Sequence, residues 1–280
     1  MTGTLTRTGW ELRFRDGAPP LRGDVRTLAG TRPRSAVVVC HGFKGFRKWG
    51  FFPALAREIA LAGHAAVSFD FAMNGVGEDG VDFSALHLFK DQTHSRNVAE
   101  IRAVLRALRS GGFSSDPPQR IGLFGHSRGG GEAVLAVVGN SSVDALVTWA
   151  AISEVDRWSD AERERWRRGR PVTVPNARTG QDMPVGPAYW QDLERNRSRL
   201  DIRAAAAGLS APWLIIHGGD DDTVDPAEGR ALHAAAPRSE LLLVEGGSHT
   251  FGAAHPFTGP TPELRRAARA TLDWFGRYLG

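Results

Sequence analysis

At 280 residues, with 41% hydrophobic and 24% charged side chains, the chain can bury a sizeable core and is too evenly charged for global disorder. A single cysteine, Cys40, excludes an internal disulfide framework. The net charge of +4 rests on arginines scattered among acids, without the concentrated basic patch of a nucleic-acid binder. The first residues lack the apolar run of a secretion signal, and no stretch is long enough to span a bilayer. A soluble, cytoplasmic protein without nucleic-acid or membrane partners is therefore expected.

Taken along the chain, residues 10–14 and 22–28 read as an antiparallel hairpin. Short apolar runs rich in β-branched residues then mark strands at 36–40, 65–69, 120–124, 145–149, 213–217 and 241–245. Several are almost continuously apolar, as strands covered on both faces should be. Helical periodicity falls between them, at 51–61, at 98–108 and in the run Ala133–Val138. Asp225 before Pro226, with Glu228 three residues on, reads as a capped helix start with a capping box. The last helix starts at Thr261-Pro262, and Leu264, Ala268, Leu272, Phe275 and Leu279 give it one apolar face. This alternation predicts a mostly parallel sheet with helices on both faces, in one domain spanning 1–280.

Two stretches interrupt it. Residues 72–93 form a long loop, and 153–211 carry two short helices, at 160–168 and 187–199, around a Pro/Gly-rich middle. An insertion at the C-terminal end of a strand sits where open α/β sheets bind ligands, so 153–211 is read as a cap. Its aromatic residues Trp158, Trp166, Tyr189 and Trp190 either line a substrate pocket or hold the cap to the body.

The chemistry centres on Gly125-His126-Ser127-Arg128-Gly129, between a strand and a helix. A sharp turn there would expose the Ser127 hydroxyl above the sheet, and the flanking glycines would remove side chains that collide with strand and helix. A serine hydroxyl needs a base, and the base an orienting acid. The acid candidates are Asp220, Asp221 and Asp222 after the strand at 213–217; the base candidates are His249, just past the strand at 241–245, and His255. The clustered aspartates lack the spacing of a calcium loop, so no metal is expected. Gly75-Val76-Gly77-Glu78-Asp79-Gly80 has the spelling of a dinucleotide loop, but Glu78 and Asp79 would repel a pyrophosphate and no apolar helix starts there.

His217-Gly218, two further residues, Asp221, two more and Val224 resemble a pattern of the α/β-hydrolase family. The resemblance selects Asp221 over its neighbours and places His249 as the base. It implies an α/β-hydrolase fold with a small cap insertion, and an oxyanion hole made by the backbone N–H groups of Phe43, in His41-Gly42-Phe43, and Arg128. The layout is similar to carboxylesterases, dienelactone-hydrolase-like enzymes and serine-peptidase catalytic domains. Dienelactone hydrolases usually carry a cysteine nucleophile where this chain has Ser127, and no propeller domain precedes the body. The implied activity is cleavage of a small-molecule carboxylic ester through an acyl-enzyme, without metal or organic cofactor. Peptidase, thioesterase or acyltransferase chemistry on the same machinery, and a binding module without catalysis, stay open.

Overall fold

The computed structural model describes residues 3–14, 17–113, 116–139 and 142–280. In chain order the elements are β1 (Leu5–Leu12), β2 (Leu21–Leu28), β3 (Ser35–Cys40), α1 (Phe52–Leu61), β4 (Ala65–Asp70), α2 (Leu86–Lys90), α3 (His94–Arg109), β5 (Arg120–His126), α4 (Arg128–Val137) and β6 (Ala145–Trp149). The interrupting segment follows as α5 (Asp160–Arg167), β7 (Val172–Asn176), β8 (Gln181–Val185), α6 (Pro187–Asn196) and α7 (Ile202–Ala207). The chain then re-enters the body with β9 (Trp213–Gly218), α8 (Pro226–Ala235), β10 (Ser239–Val244) and α9 (Pro262–Leu279).

Eight strands form one sheet in the order β1-β2-β4-β3-β5-β6-β9-β10. The six from β4 to β10 run parallel, and the β1–β2 hairpin joins β4 antiparallel. Alternation of side chains across the pleat divides the core into two layers. Val38 and Cys40 of β3 face a cluster that includes Val98 and Ile101 of α3 and Val134 of α4. Val37 and Val39 face the opposite cluster, with Leu55 and Ile59 of α1 and Trp274 and Phe275 of α9. Burying each such large side chain contributes about 1.5–3 kcal/mol. These two layers hold the parallel strands in register, and with them the strand ends where the polar groups collect.

Three helix starts follow their local chemistry. Thr261 caps α9 by accepting from Leu264 N–H at 3.1 Å, ahead of Pro262, and Asp201 caps α7 from Ala204 N–H at 2.9 Å. Asp225 caps α8, accepting from Ala227 N–H at 2.8 Å. Glu228 does not complete a capping box there: its carboxylate accepts from Ser153 N–H at 2.7 Å and pairs with Arg157. A link between segments has taken the carboxylate that a local cap would have used.

The edges differ from the sequence reading. β1 starts five residues earlier than expected, because its polar alternation pairs along the full length of β2, from Leu5 opposite Leu28 to Leu12 opposite Leu21. The helix read at 187–199 ends at Asn196, and α7 follows as a separate turn. The Pro/Gly-rich middle of 153–211 holds a two-stranded antiparallel sheet, β7 with β8, and the expected loop at 72–93 contains the short helix α2. Among the described residues no helix is long and apolar enough to cross a membrane, and no cluster of three or more His, Cys, Asp or Glu side chains could hold a metal ion.

Candidate active site

The turn from β5 into α4 places Ser127 at φ 56°, ψ −124°, a left-handed conformation that a non-glycine residue adopts only where its surroundings impose it. Crowding imposes it here. A Cβ on Gly125 would lie 2.5 Å from the Gly129 carbonyl oxygen, and one on Gly129 would lie 2.2 Å from the carbonyl oxygen of His41. A Cβ on Gly130 or Gly131 would lie 2.7 Å from side-chain atoms of Ala151 or Ile152, so α4 lies against the segment after β6 as well as the loop after β3. The Ser127 carbonyl accepts from Gly130, Gly131 and Ile152 N–H groups, fixing the turn from both sides.

Ser127 Oγ lies 3.1 Å from His249 Nε2, and His249 Nδ1 lies 2.8 Å from Asp221 Oδ2. A carboxylate only accepts, so Nδ1 carries the proton and Nε2 is free to accept the serine hydroxyl. The other carboxylate oxygen of Asp221 accepts from the N–H groups of Thr223 and Val224, both at 2.9 Å. Burial alone would raise the Asp221 carboxyl. Hydrogen bonds from His217, His249 and Val224 N–H outweigh it and hold the group well below the usual carboxylate range. Asp220 and Asp222 are exposed and do not join this chain of bonds.

Two further histidines brace it. His126 Nε2 donates to the carbonyl of His249 at 3.0 Å; burial, then the neighbouring His249 ring, lower its pKa from 6.5 to about 3, so it stays a neutral donor. His217 Nε2 donates to Val224 O at 2.8 Å and sits 3.4 Å from Asp221 Oδ2. His255 lies elsewhere: its Nδ1 accepts from Gly50 N–H at 3.0 Å and its ring stacks on Trp49.

The loop after β3 runs alongside the serine. A Cβ on Gly42 would come within 2.9 Å of Ser127 Cβ, and Lys44 takes φ 56° as the backbone turns away. The backbone N–H groups of Phe43 and Arg128 have no acceptor among the described residues. The sequence-matched residues at 43, 127, 128, 221 and 249 therefore come together at one end of the sheet.

A profile of the alpha/beta hydrolase family matches residues 37–259, most of the chain. The chain belongs to this family. The hydrolase is also 24% identical to an uncharacterized 31.7 kDa protein from Escherichia coli, over 91% of this chain and 94% of the other. Among solved structures it resembles Est1E from Butyrivibrio proteoclasticus with bound ferulic acid, at 18% identity and a TM-score of 0.71, covering 96% and 98% of the two chains. It also resembles the esterase domain of a Rhodothermus marinus protein, at 17% identity and a TM-score of 0.66, covering 98% and 100%. At these identities the structural likenesses speak for the fold.

Over Ser127 the hydrolase holds a cavity of about 540 Å³, a size that suits a small organic ligand. Phe43, Ile152, Val155, Val174, Trp158 and Tyr189 give it largely apolar walls. Of the four cap aromatics, Trp158 and Tyr189 reach it, whereas Trp166 and Trp190 pack behind them. Trp166 stacks on both Tyr189 and Trp190 and donates from Nε1 to Val185 O at 2.8 Å. The cap is fastened to the body at several points, among them Lys44 Nζ to Pro175 O at 2.9 Å and Lys90 O to Gly186 N–H at 2.7 Å.

One group escaped the sequence reading. The buried carboxylate of Glu132 accepts from Arg128 Nε and His94 Nδ1, both at 2.8 Å, and from Asn97 Nδ2 at 3.1 Å. Burial would raise its pKa, but Arg128 and His94 hold it below its ordinary value, so it is an anion. Burial and the Arg128 charge keep His94 neutral, so its Nε2 accepts from Tyr189 OH at 2.7 Å. The cap wall is thus wired to the helix that follows Ser127. The four-residue spacing of Arg128 and Glu132 is a local signal for part of it; nothing in the sequence announces the link between His94 and Tyr189.

Proposed function

We propose that this hydrolase cleaves carboxylic esters through an acyl-enzyme, with Ser127 as nucleophile, His249 as general base and then acid, and Asp221 as the group that orients and stabilises the imidazole. The observation that carries the reading is the unbroken hydrogen-bonded chain from Asp221 through His249 to Ser127 at the floor of an apolar cavity.

In the first half, Ser127 Oγ attacks the carbonyl carbon while its proton passes to His249 Nε2. The carbonyl oxygen becomes an oxyanion, met by the free N–H groups of Phe43 and Arg128. The same proton goes to the leaving alcohol as the C–O bond breaks, leaving the acyl group on Ser127. In the second half, water gives a proton to His249 as it attacks the acyl carbon, and the acid departs as the proton returns to Ser127. The imidazolium formed at each stage is balanced by the Asp221 carboxylate. The apolar walls favour an acyl group that is itself apolar or aromatic. Ferulic acid bound to Est1E, a structural neighbour, is one aromatic acid of that kind.

Short p-nitrophenyl esters test the proposal. Ser127→Ala should keep the fold, by circular dichroism, and lose roughly 10⁴–10⁶-fold in kcat. A folded Ser127→Ala variant with undiminished turnover would remove the serine from the mechanism. A fluorophosphonate probe should label the parent protein on Ser127 alone.

A further inference from the structure

Behind the loop after β3 lies a second, much smaller cavity, of about 10 Å³. Gly42 and Phe43 of that loop line it, as do Asn74 from the loop after β4, Asn97 of α3 and Arg128 at the start of α4. The last three side chains are each more than nine-tenths buried, and each carries a buried polar atom without a partner: Asn74 Nδ2, Asn97 Oδ1 and Arg128 Nη2. Leaving a buried polar atom unmet is costly, so three of them on residues that line one space call for an occupant.

The identity of these atoms follows from their other bonds. Asn74 Oδ1 accepts from Val76 N–H at 3.0 Å, so its free atom is the NH₂ donor. Asn97 Nδ2 donates to both oxygens of Glu132 at 3.1 Å, so its free atom is the carbonyl acceptor. Arg128 uses Nε and Nη1 on Glu132 and Gln92, which leaves Nη2–H as a donor. The site therefore presents two donors and one acceptor. An anion would face the Asn97 carbonyl oxygen, in a neighbourhood where Glu132 already neutralises the guanidinium. A cation would face two N–H groups. A neutral molecule that accepts twice and donates once satisfies all three, and the volume stands at the lower bound of about 10–15 Å³ needed for a single water.

We infer that a buried water bridges Asn74, Asn97 and Arg128 and braces the start of α4, which carries one of the two proposed oxyanion N–H donors, against α3 and the loop after β4. Phe43 and Arg128 come from different parts of the chain, and both border this cavity. The water links the start of α4 to α3 and to the loop after β4, directly beneath the Gly42–Phe43 turn. It is a positioning device, since it touches the Arg128 side chain and the residues around it and not the reacting carbonyl. Its effect on turnover rests on the proposed ester hydrolysis; its presence does not.

Two measurements test the inference separately. A high-resolution crystal structure should show one solvent peak within hydrogen-bonding distance of Asn74 Nδ2, Asn97 Oδ1 and Arg128 Nη2. Crystals grown in bromide should show no anomalous peak there. Direct pairing of the three side chains, an empty cavity or a bromide peak would each overturn it. The second measurement compares Asn74→Leu, whose side chain fills the space and excludes water, with Asn74→Ala, which leaves room for it; both lose the bond to Val76 equally. Asn74→Leu should lower kcat on a short ester about tenfold, short of the 10²–10³-fold cost of deleting an oxyanion donor outright, with KM little changed, while Asn74→Ala retains most of the turnover. Equal losses, or none in the leucine variant, would overturn the coupling to the oxyanion hole. If neither variant folds, the crystal structure of the parent protein still decides for or against the water. A parent protein inactive on every ester would defeat the proposed function and leave the water to the same crystallographic test.

Discussion

Between Asp221 and His249 a charge and a tautomer are set by one contact. The carboxylate accepts a hydrogen bond from Nδ1–H, which keeps the proton on that nitrogen and leaves Nε2 to face Ser127 as an acceptor. An amide at position 221 can turn its NH₂ toward Nδ1, which moves the ring proton to Nε2 and points it at the hydroxyl. Asp221→Asn is therefore expected to lose roughly 10⁴-fold in kcat with little change in KM. Asp222→Asn, on an exposed side chain bonded only to Thr223, should stay close to the parent rate. Steady-state kinetics of the two variants side by side check this, and a larger loss at position 222 would reassign the acid. His126 acts on the same imidazole through the backbone of residue 249, so its contribution is to where the ring sits and not to which atom holds the proton.

At the scale of elements, the junction of β5, Ser127 and α4 tolerates almost no added volume. The Cβ of Gly129→Ala would stand 2.2 Å from a backbone carbonyl of the loop after β3, an obstacle that cannot rotate away. That variant should lose roughly 3 kcal/mol of stability or more, at the upper end of overpacking costs, read as a shift in the denaturation midpoint. A stability within experimental error of the parent would show that the loop after β3 can yield. This junction was legible in the sequence because its signals are local: an apolar strand, spaced glycines and a following helix. The parallel strands were legible for the same reason, since β3, β5, β6 and β9 are short, mostly apolar runs. The cap was not. Pro175 and Pro184 interrupt β7 and β8, and their polar alternation carries little apolar signal. α2 is only five residues long. α7 offered a readable start in Asp201, but its alanines carry no amphipathic pattern. Contacts such as His94 with Tyr189, 95 residues apart, have no signature in a single chain.

Over the whole molecule, buried histidines make stability depend on pH. Burial lowers His126 from 6.5 to about 3 and His41 from 6.5 to about 4, so between pH 6.5 and 5 the unfolded chain takes up protons on both that the folded chain refuses. Stability from these two falls as pH falls. Glu100 opposes them: burial raises it from 4.5 to about 7, so the folded chain keeps a proton that the unfolded chain releases, and its contribution falls as pH rises. Two against one leaves the unfolded state about one proton richer near pH 5.5. That corresponds to a loss of roughly 1.4 kcal/mol per pH unit on acidification. His64 and His94 are lowered too and act in the same direction. Denaturant titrations from pH 6.5 to 5 measure the slope, and stability that grew on acidification would contradict it.

The close seat of Gly129 against the carbonyl of His41 carries a consequence for how this hydrolase can change. Turn and loop interlock backbone to backbone, so neither can be re-sculpted alone. The segment 153–211 hangs on tethers that substitutions can trade one by one. New substrate ranges, in nature or in a laboratory library, should accordingly accumulate in that segment, while the chemical machinery beneath it passes on unaltered.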